Sequence, residues 1–320
     1  MKTGVIEGMV HPVQMGKRTR MSFARIEEAL AVPDLIEVQK NSYRSFLKDG
    51  LREALADASP IEDYSKTMYL EFVDYSLDEE PKYTVEKCKE AEAIIAAHPE
   101  LTFMLGFMRR YDHSYQVAKK KMENGDIGDV ILVRCYSQDP ISIIEGTLEY
   151  APRSGGQFID MSIHDFDLIR WLTGSEVKEL WATGGCYEFK QYKDWDDGDN
   201  VSGLMKMEND AMAFFFAGRA AAHGSHVETE IVGTRGPLRI ASVPTDSLVE
   251  VMSQHGVCRE CYQDFITRWH DAYITEIEEF CDCVATGRKA TPGVIDGTQS
   301  TKIAFRCKES FLTDKKLTLE

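Results

Sequence analysis

The chain has 320 residues, 43% apolar and 28% charged, the proportions of a soluble globular protein long enough for one large or two ordinary domains. A net charge of −16 argues against a general nucleic-acid binder or an anionic-membrane binder, both of which need a basic face, although a local basic patch remains compatible with it. No apolar run approaches membrane-spanning length and the first residues carry no signal-peptide pattern, so a cytoplasmic, reduced setting is expected.

The stretch 1–83 opens with a basic cluster, Lys17-Arg18-Thr19-Arg20, read as a solvated lead-in to a helix. Phe23, Ile26, Leu30 and Ala31 follow at helical spacing, and Pro33 with Asp34 ends that helix or begins another. A second helix is predicted over 36–51, with Ile36, Val38, Tyr43, Phe46 and Leu47 facing inward. Residues 69–75 alternate apolar and polar and predict a strand. Pro60 and Pro81 punctuate loops.

Next come an alanine-rich helix over 91–97, broken by Pro99, and a short apolar run over 101–107 that predicts a buried strand. A lysine-rich amphipathic helix is predicted over 115–124, ended by Gly125, then a strand over 130–136. One helix is predicted over 155–172. Strands are predicted over 177–183, 201–207, 212–218, 228–232, 238–241 and 248–253, with a turn at Gly233-Thr-Arg-Gly236. Long helices over 262–285 and 297–312 complete the chain. Antiparallel-style strands followed by helices predict an α+β domain with helices covering one sheet face.

The eight cysteines are scattered. Cys258-Arg-Glu-Cys261 and Cys281-Asp-Cys283 have the spacing of zinc or redox pairs, but their surroundings read as a strand-to-helix passage and a helix interior. They are taken as thiols, and no metal is expected.

The densest chemistry lies in Ser154-Gly-Gly-Gln-Phe-Ile-Asp-Met-Ser-Ile-His-Asp165. Asp160 and His164 stand one helical turn apart in sequence, so a continuous helix would project both from one face. A carboxylate beside an imidazole suits general acid–base work, because the acid can orient the ring and raise its basicity.

The N-terminal runs 9–23, 35–46, 60–64 and 71–75 resemble the extreme N-terminus of bacterial RNA polymerase beta subunits, and the likeness ends around 78–89. It implies the opening piece of a very large subunit, with polymerase subunits as partners and a transcription-associated binding role. The segment 88–312 resembles the Gfo/Idh/MocA oxidoreductases, most closely the inositol 2-dehydrogenases. Gly106-Phe-Met-Arg-Arg-Tyr-Asp112, Ile144-Glu-Gly146, Ser154 through Asp165, Glu228-Thr-Glu-Ile-Val-Gly-Thr-Arg-Gly236 and Asp296-Gly-Thr298 carry that likeness.

The second resemblance implies a dinucleotide-binding domain followed by a sheet domain that binds a polyol or sugar, NAD as cofactor, and homo-oligomers formed through the sheet. It implies that His164 takes the hydroxyl proton while Asp160 orients the ring. Arg109, Arg110 and Tyr111 are candidates for cofactor or substrate contact, or else a surface ion-pair cluster. Asp139, Glu145 and Arg153 are candidates for polyol contact from loops. His223 and His226 stand where relatives often carry a tyrosine, and His223 is the candidate replacement.

Two departures stand out. The chain has no G-x-G-x-x-G loop for a pyrophosphate. The family's Glu-Lys-Pro is matched only by Glu80-Pro81-Lys82, in a different order, and Lys82 is read as a loop lysine. Both likenesses converge on Val85-Glu-Lys-Cys-Lys89, which points to two ancestries joined there. The expected organisation is a polymerase-like piece over 1–87, a dinucleotide-domain remnant over 88–128 and a substrate domain over 129–320. Dehydrogenase activity is expected to be weak or absent in this chain.

Overall fold

The computed structural model describes residues 84–319 and the backbone of two short strands, β1 (Val5–Glu7) and β2 (Tyr69–Glu71). These two pair in parallel, with Val5 opposite Tyr69 and Glu7 opposite Glu71. Residues 69–71 of the strand predicted over 69–75 are thus in a strand, and 72–75 lie outside the described residues. The basic cluster 17–20, the helices predicted over 23–31 and 36–51, and Lys82 lie outside the described residues. The chain divides into two compact units, one formed by 1–112 with 269–299, the other by 113–268 with 300–320.

In the first unit, α1 (Val85–Ala97) starts where the Thr84 side chain accepts a hydrogen bond from the Lys87 amide at 3.2 Å. It stops at His98, just before Pro99. The strand predicted over 101–107 is not formed as a continuous strand. A strand requires a paired neighbour, and the Leu105 amide instead donates to the Pro292 carbonyl at 2.8 Å. A 3₁₀ turn follows at Met108–Tyr111, and all four of its residues are buried. The helix α6 (Phe265–Thr286) places Trp269, Tyr273 and Glu276 in this unit's interior.

The second unit opens with α2 (His113–Glu123) and is built on a seven-stranded mixed sheet. Its strands are β3 (Val130–Pro140), β4 (Val177–Gly185), β5 (Asn200–Met207), β6 (Met212–Ala221), β7 (His226–Gly233), β8 (Gly236–Ile240) and β11 (Leu317–Thr318), in the order β11-β4-β5-β6-β3-β7-β8. The sheet is not wholly antiparallel, as the sequence had suggested. β3 lies between β7, which is antiparallel to it, and β6, which is parallel to it with Cys135 opposite Phe215. Parallel neighbours need a long crossover. Here the chain between them passes through α3 (Ile144–Tyr150), α4 (Gln157–Asp160) and α5 (Ile163–Thr173), then lays down β4 and β5 before β6.

Burial alternates along β5 and β7, so one face of these strands is inside. On β6 the inward Phe215 meets Phe166 of α5 edge-on at 5.0 Å and Phe158 of α4 at 6.1 Å. Phe158 also meets Phe311 of α7 (Val294–Thr313) at 5.9 Å. The hydroxyl of Ser310 on α7 accepts from the Ala182 amide of β4 at 2.9 Å. β9 (Val251–Ser253) and β10 (Gly256–Cys258) form a separate exposed hairpin.

The helix predicted over 155–172 is two helices. The amides of Met161 and Ser162 both donate to the Gln157 carbonyl, at 3.1 and 3.0 Å. Those of Asp165 and Phe166 both donate to Ser162, each at 2.9 Å. The i→i−4 ladder is thus interrupted at 161–162. The first turn is anchored through the Gln157 amide to Asp197 at 2.9 Å, while α5 is pinned to β3 by Ser137 donating to Asp165 at 2.8 Å. Anchors on different elements break a helix that propensity alone would continue. α5 ends at Gly174, whose φ of 62° supplies the left-handed stop.

Candidate active site

Arg219 is the hub of the second unit's polar interior. It lies on β6 in an otherwise apolar run and is 1% exposed. A buried guanidinium is costly unless its donors are matched, and here the partners are carboxylates. Nη1 donates to Asp139, at the end of β3, at 2.7 Å, and Nη2 donates to Asp160, at the end of α4. Burial works against the charge, but Tyr150, Asp160 and Asp139 outweigh it and hold the Arg219 pKa above its ordinary value.

Asp160 accepts a second hydrogen bond, from the Tyr150 hydroxyl of α3 at 2.8 Å. Burial first, then the neighbouring Asp160, pushes the Tyr150 phenol well above its usual range, so it stays a neutral donor. The Asp160 side chain has no solvent-exposed surface, whereas that of Asp139 keeps 20%. Asp160 therefore serves as an enclosed anchor, and Asp139 is the carboxylate of the pair with access to solvent. His164 follows on α5 and is half-buried. The helix break means that the one-turn spacing of Asp160 and His164 does not place them on a single continuous helical face.

Behind this group stand Asp197 and Asp199. The Asp197 carboxylate takes the Gln157 amide, and Gly156 just before it has φ 92°. Burial pushes the Asp197 carboxyl up, against the pull of the Gly198 and Gln157 amides. For Asp199, burial is outweighed by the amides of Tyr187, Phe189 and Glu188 and by the Asn200 side chain, so its pKa is lowered.

The other sequence candidates separate. Glu145 on α3 is exposed, and Arg153 is half-buried with its guanidinium 3.4 Å from the Glu149 carbonyl. His223 is exposed and shares a 3.0 Å ring-nitrogen contact with His226. His226 continues to Glu228 at 3.2 Å, and Glu228 pairs with Arg134.

Arg109, Arg110 and Tyr111 lie in the first unit at 5%, 7% and 8% exposure, so they are not a surface cluster. Arg110 donates to Asp296 at 2.9 Å, Tyr111 donates to the Thr291 carbonyl, and Arg109 lies 5.5 Å over the Trp269 ring. A pyrophosphate needs cationic groups and backbone amides turned toward it. Arg110 and Tyr111 each use a donor inside their own unit.

The sequence analysis missed Tyr150, Tyr192, Asp197 and Arg219. Only Arg219 had left a signal: a lone charge inside the apolar run of β6 must find partners. Among the described residues, no group of three His, Cys, Asp or Glu is arranged to hold a metal, and no helix is long and apolar enough to cross a membrane. The eight cysteines are present as thiols.

The Gfo/Idh/MocA C-terminal domain model matches residues 115–239. The chain is 30% identical over 289 residues to the uncharacterized oxidoreductase YrbE of Bacillus subtilis, covering 89% of this chain and 83% of that protein. The chain belongs to the Gfo/Idh/MocA oxidoreductase family. Within that family it resembles the scyllo-inositol dehydrogenase of Lactobacillus casei, solved with bound NAD(H) and scyllo-inositol. The TM-score is 0.71 at 40% identity, over 73% of this chain and 70% of that one. Its likeness to the inositol dehydrogenases is therefore both of sequence and of fold.

A second similarity is partial. Over 89 residues, 28% of this chain, it is 60% identical to the RNA polymerase beta subunit of Clostridioides difficile. The chain spans 7% of that subunit's length.

Proposed function

We propose that this Gfo/Idh/MocA protein descends from an NAD-dependent inositol or sugar 2-dehydrogenase, keeps its polyol site and turns over NAD weakly or not at all. The observation that carries the reading is the Arg219 hub, which fixes Asp139 and Asp160 beside the helix that bears His164. His164 is the proton acceptor for a ring hydroxyl. Asp160, held by Arg219 and Tyr150, orients the site from within, and Asp139 receives a hydroxyl at its accessible edge. Glu145 from α3, Arg153 and His223 border the polyol.

Hydride transfer needs a nicotinamide held at near-attack distance. Arg110 and Tyr111, two of the three residues proposed to touch the cofactor, donate within their own unit, and the sequence has no glycine-rich loop to grip a pyrophosphate. In this reading 88–128 is the remnant of a dinucleotide-binding domain, 129–320 is the substrate domain, and the setting is cytoplasmic.

The test pairs two measurements on the whole chain. Calorimetric titration with scyllo- and myo-inositol is expected to show saturable binding. Nicotinamide absorbance, followed with NAD and the same polyols, is expected to show little or no reduction. Saturable NAD reduction at rates normal for an enzyme would refute the impairment, and the absence of any polyol binding would refute the site.

The polymerase match supports a second reading, in which residues 1–87 bind polymerase subunits in a transcription-associated role. Co-purification of the chain with polymerase subunits is its expected outcome. Their absence from a pull-down with the tagged chain would dispose of it.

A further inference from the structure

The polar interior behind Asp160 contains enclosed atoms that have no hydrogen-bond partner among the described residues. Four of them are Gln157 Oε1, Tyr192 Oη, Asp197 Oδ1 and Arg219 Nε. Their residues are 0%, 0%, 4% and 1% exposed. The Gln157 amide is bonded to Asp197 at 2.9 Å, and the Asp197 amide is bonded to the Tyr192 carbonyl at 3.1 Å. Arg219 is the leading charged neighbour of both Tyr192 and Asp197. Its own amide donates to the Asp199 carbonyl at 3.0 Å. The four residues stand on α4, on the 3₁₀ turn Lys190–Trp195, in the loop after it, and on β6.

Leaving such groups unmatched is costly, and buried polar atoms in folded proteins find a partner in protein or in ordered water. The chemistry of the four selects what that partner is. Asp197 Oδ1 and Gln157 Oε1 accept only, Arg219 Nε donates only, and the Tyr192 hydroxyl can do either. A metal cation would meet the guanidinium N–H, and an anion would meet the carboxylate. A molecule that donates twice and accepts twice satisfies all four.

We propose that Gln157, Tyr192, Asp197 and Arg219 form a binding site for one internal water molecule, which completes the hydrogen bonding of Arg219 behind the Asp160 carboxylate. The water donates to Asp197 Oδ1 and Gln157 Oε1 and accepts from Arg219 Nε–H and Tyr192 Oη–H. It acts as a fixed wedge that leaves both terminal nitrogens of Arg219 for Asp139 and Asp160. The site needs neither polyol nor NAD, so it stands or falls separately from the dehydrogenase reading.

Two measurements on the full chain test it. A high-resolution crystal structure is expected to show one solvent peak about 2.7–3.2 Å from the four atoms. Nuclear Overhauser spectra are expected to show a cross-peak between water and the Arg219 Nε–H proton. In Tyr192→Phe, which keeps the ring and removes the hydroxyl, that cross-peak should be lost or strongly reduced. Three results would overturn the proposal: no solvent peak, a direct Arg219 Nε to Asp197 bond, or a peak that behaves as an ion. Because the wild-type crystal and cross-peak decide by themselves, a Tyr192→Phe variant that failed to fold would not rescue the idea.

Discussion

The Arg219 guanidinium donates to the Asp160 carboxylate from a strand that is distant from it in the chain, and the two side chains are 1% and 0% exposed. Each is affordable inside the protein only because the other is there. Asp139 and Tyr150 complete the group, at 2.7 Å from Arg219 and 2.8 Å from Asp160 respectively.

Removing Arg219 would leave two carboxylates without their common counter-charge. Breaking a buried pair from one side typically costs about 3–5 kcal/mol. Arg219→Gln is expected to lose stability of that order in urea unfolding of the whole chain, with Arg219→Lys losing less. A loss below about 1 kcal/mol for the Gln variant would contradict the central place given to this pair, since that is the range of an exposed one.

Gly156 makes the turn that delivers Gln157 and Asp160 inward. Its φ of 92° and ψ of 166° form a conformation that side chains adopt only under strain. The nearest atoms to an added Cβ are those of the Asp197 carboxylate at 3.4 Å, an ordinary contact, so the cost is in the backbone. Gly156→Ala should destabilise by about 1–3 kcal/mol. Gly146 on α3 has open space around it, and Gly146→Ala in the same thermal melts should be neutral or slightly stabilising.

His226 gives a pH dependence with a definite sign. Burial lowers its pKa below the ordinary histidine value of 6.5, and Glu228 only partly offsets this. A histidine depressed in the folded state contributes stability that is fully present above that value and is lost as pH falls through the folded pKa. Stability should therefore drop on acidification below about pH 6.5. His226→Gln should flatten that part of the profile, as read from denaturation midpoints across the range. An unchanged slope in the variant would assign the effect elsewhere.

Polyol binding should depend on Asp139 and His164 more than on Glu145. Asp139 keeps access to solvent while bound to Arg219, and His164 is half-buried on α5. A hydrogen bond to a charged group contributes about 1.5–3 kcal/mol, so Asp139→Asn should weaken inositol binding about tenfold or more. His164→Gln should weaken it measurably, and Glu145→Gln, altering an exposed side chain, should do less. If calorimetry finds the Asp139 and His164 variants indistinguishable from the parent, the polyol reading of this cluster fails.

The helix break at 161–162 shows where reading along the chain reaches its limit. A local pattern of Gly-Gly, an aspartate and a histidine locates the chemistry, because those residue types are rare together. It cannot reveal that Gln157 is tied to Asp197 and Asp160 to Arg219, contacts between elements far apart in sequence. Arg109, Arg110 and Tyr111 teach the same lesson. Their charge suggested a surface or a ligand, and only their partners Trp269, Asp296 and Thr291 show an interior cluster.

By itself the sequence determined six of the seven strands of the sheet, all but β11, together with the two long C-terminal helices, the stretch around Asp160 and His164, and the family likeness. Periodicity and residue chemistry are local quantities, and they survive in a linear reading. The tertiary structure alone decided that β3 and β6 run parallel, that one helix becomes two, and that a strand arginine fixes the site. Those outcomes depend on which buried polar groups can satisfy one another, a matching that exists only once distant segments meet in a water-poor interior.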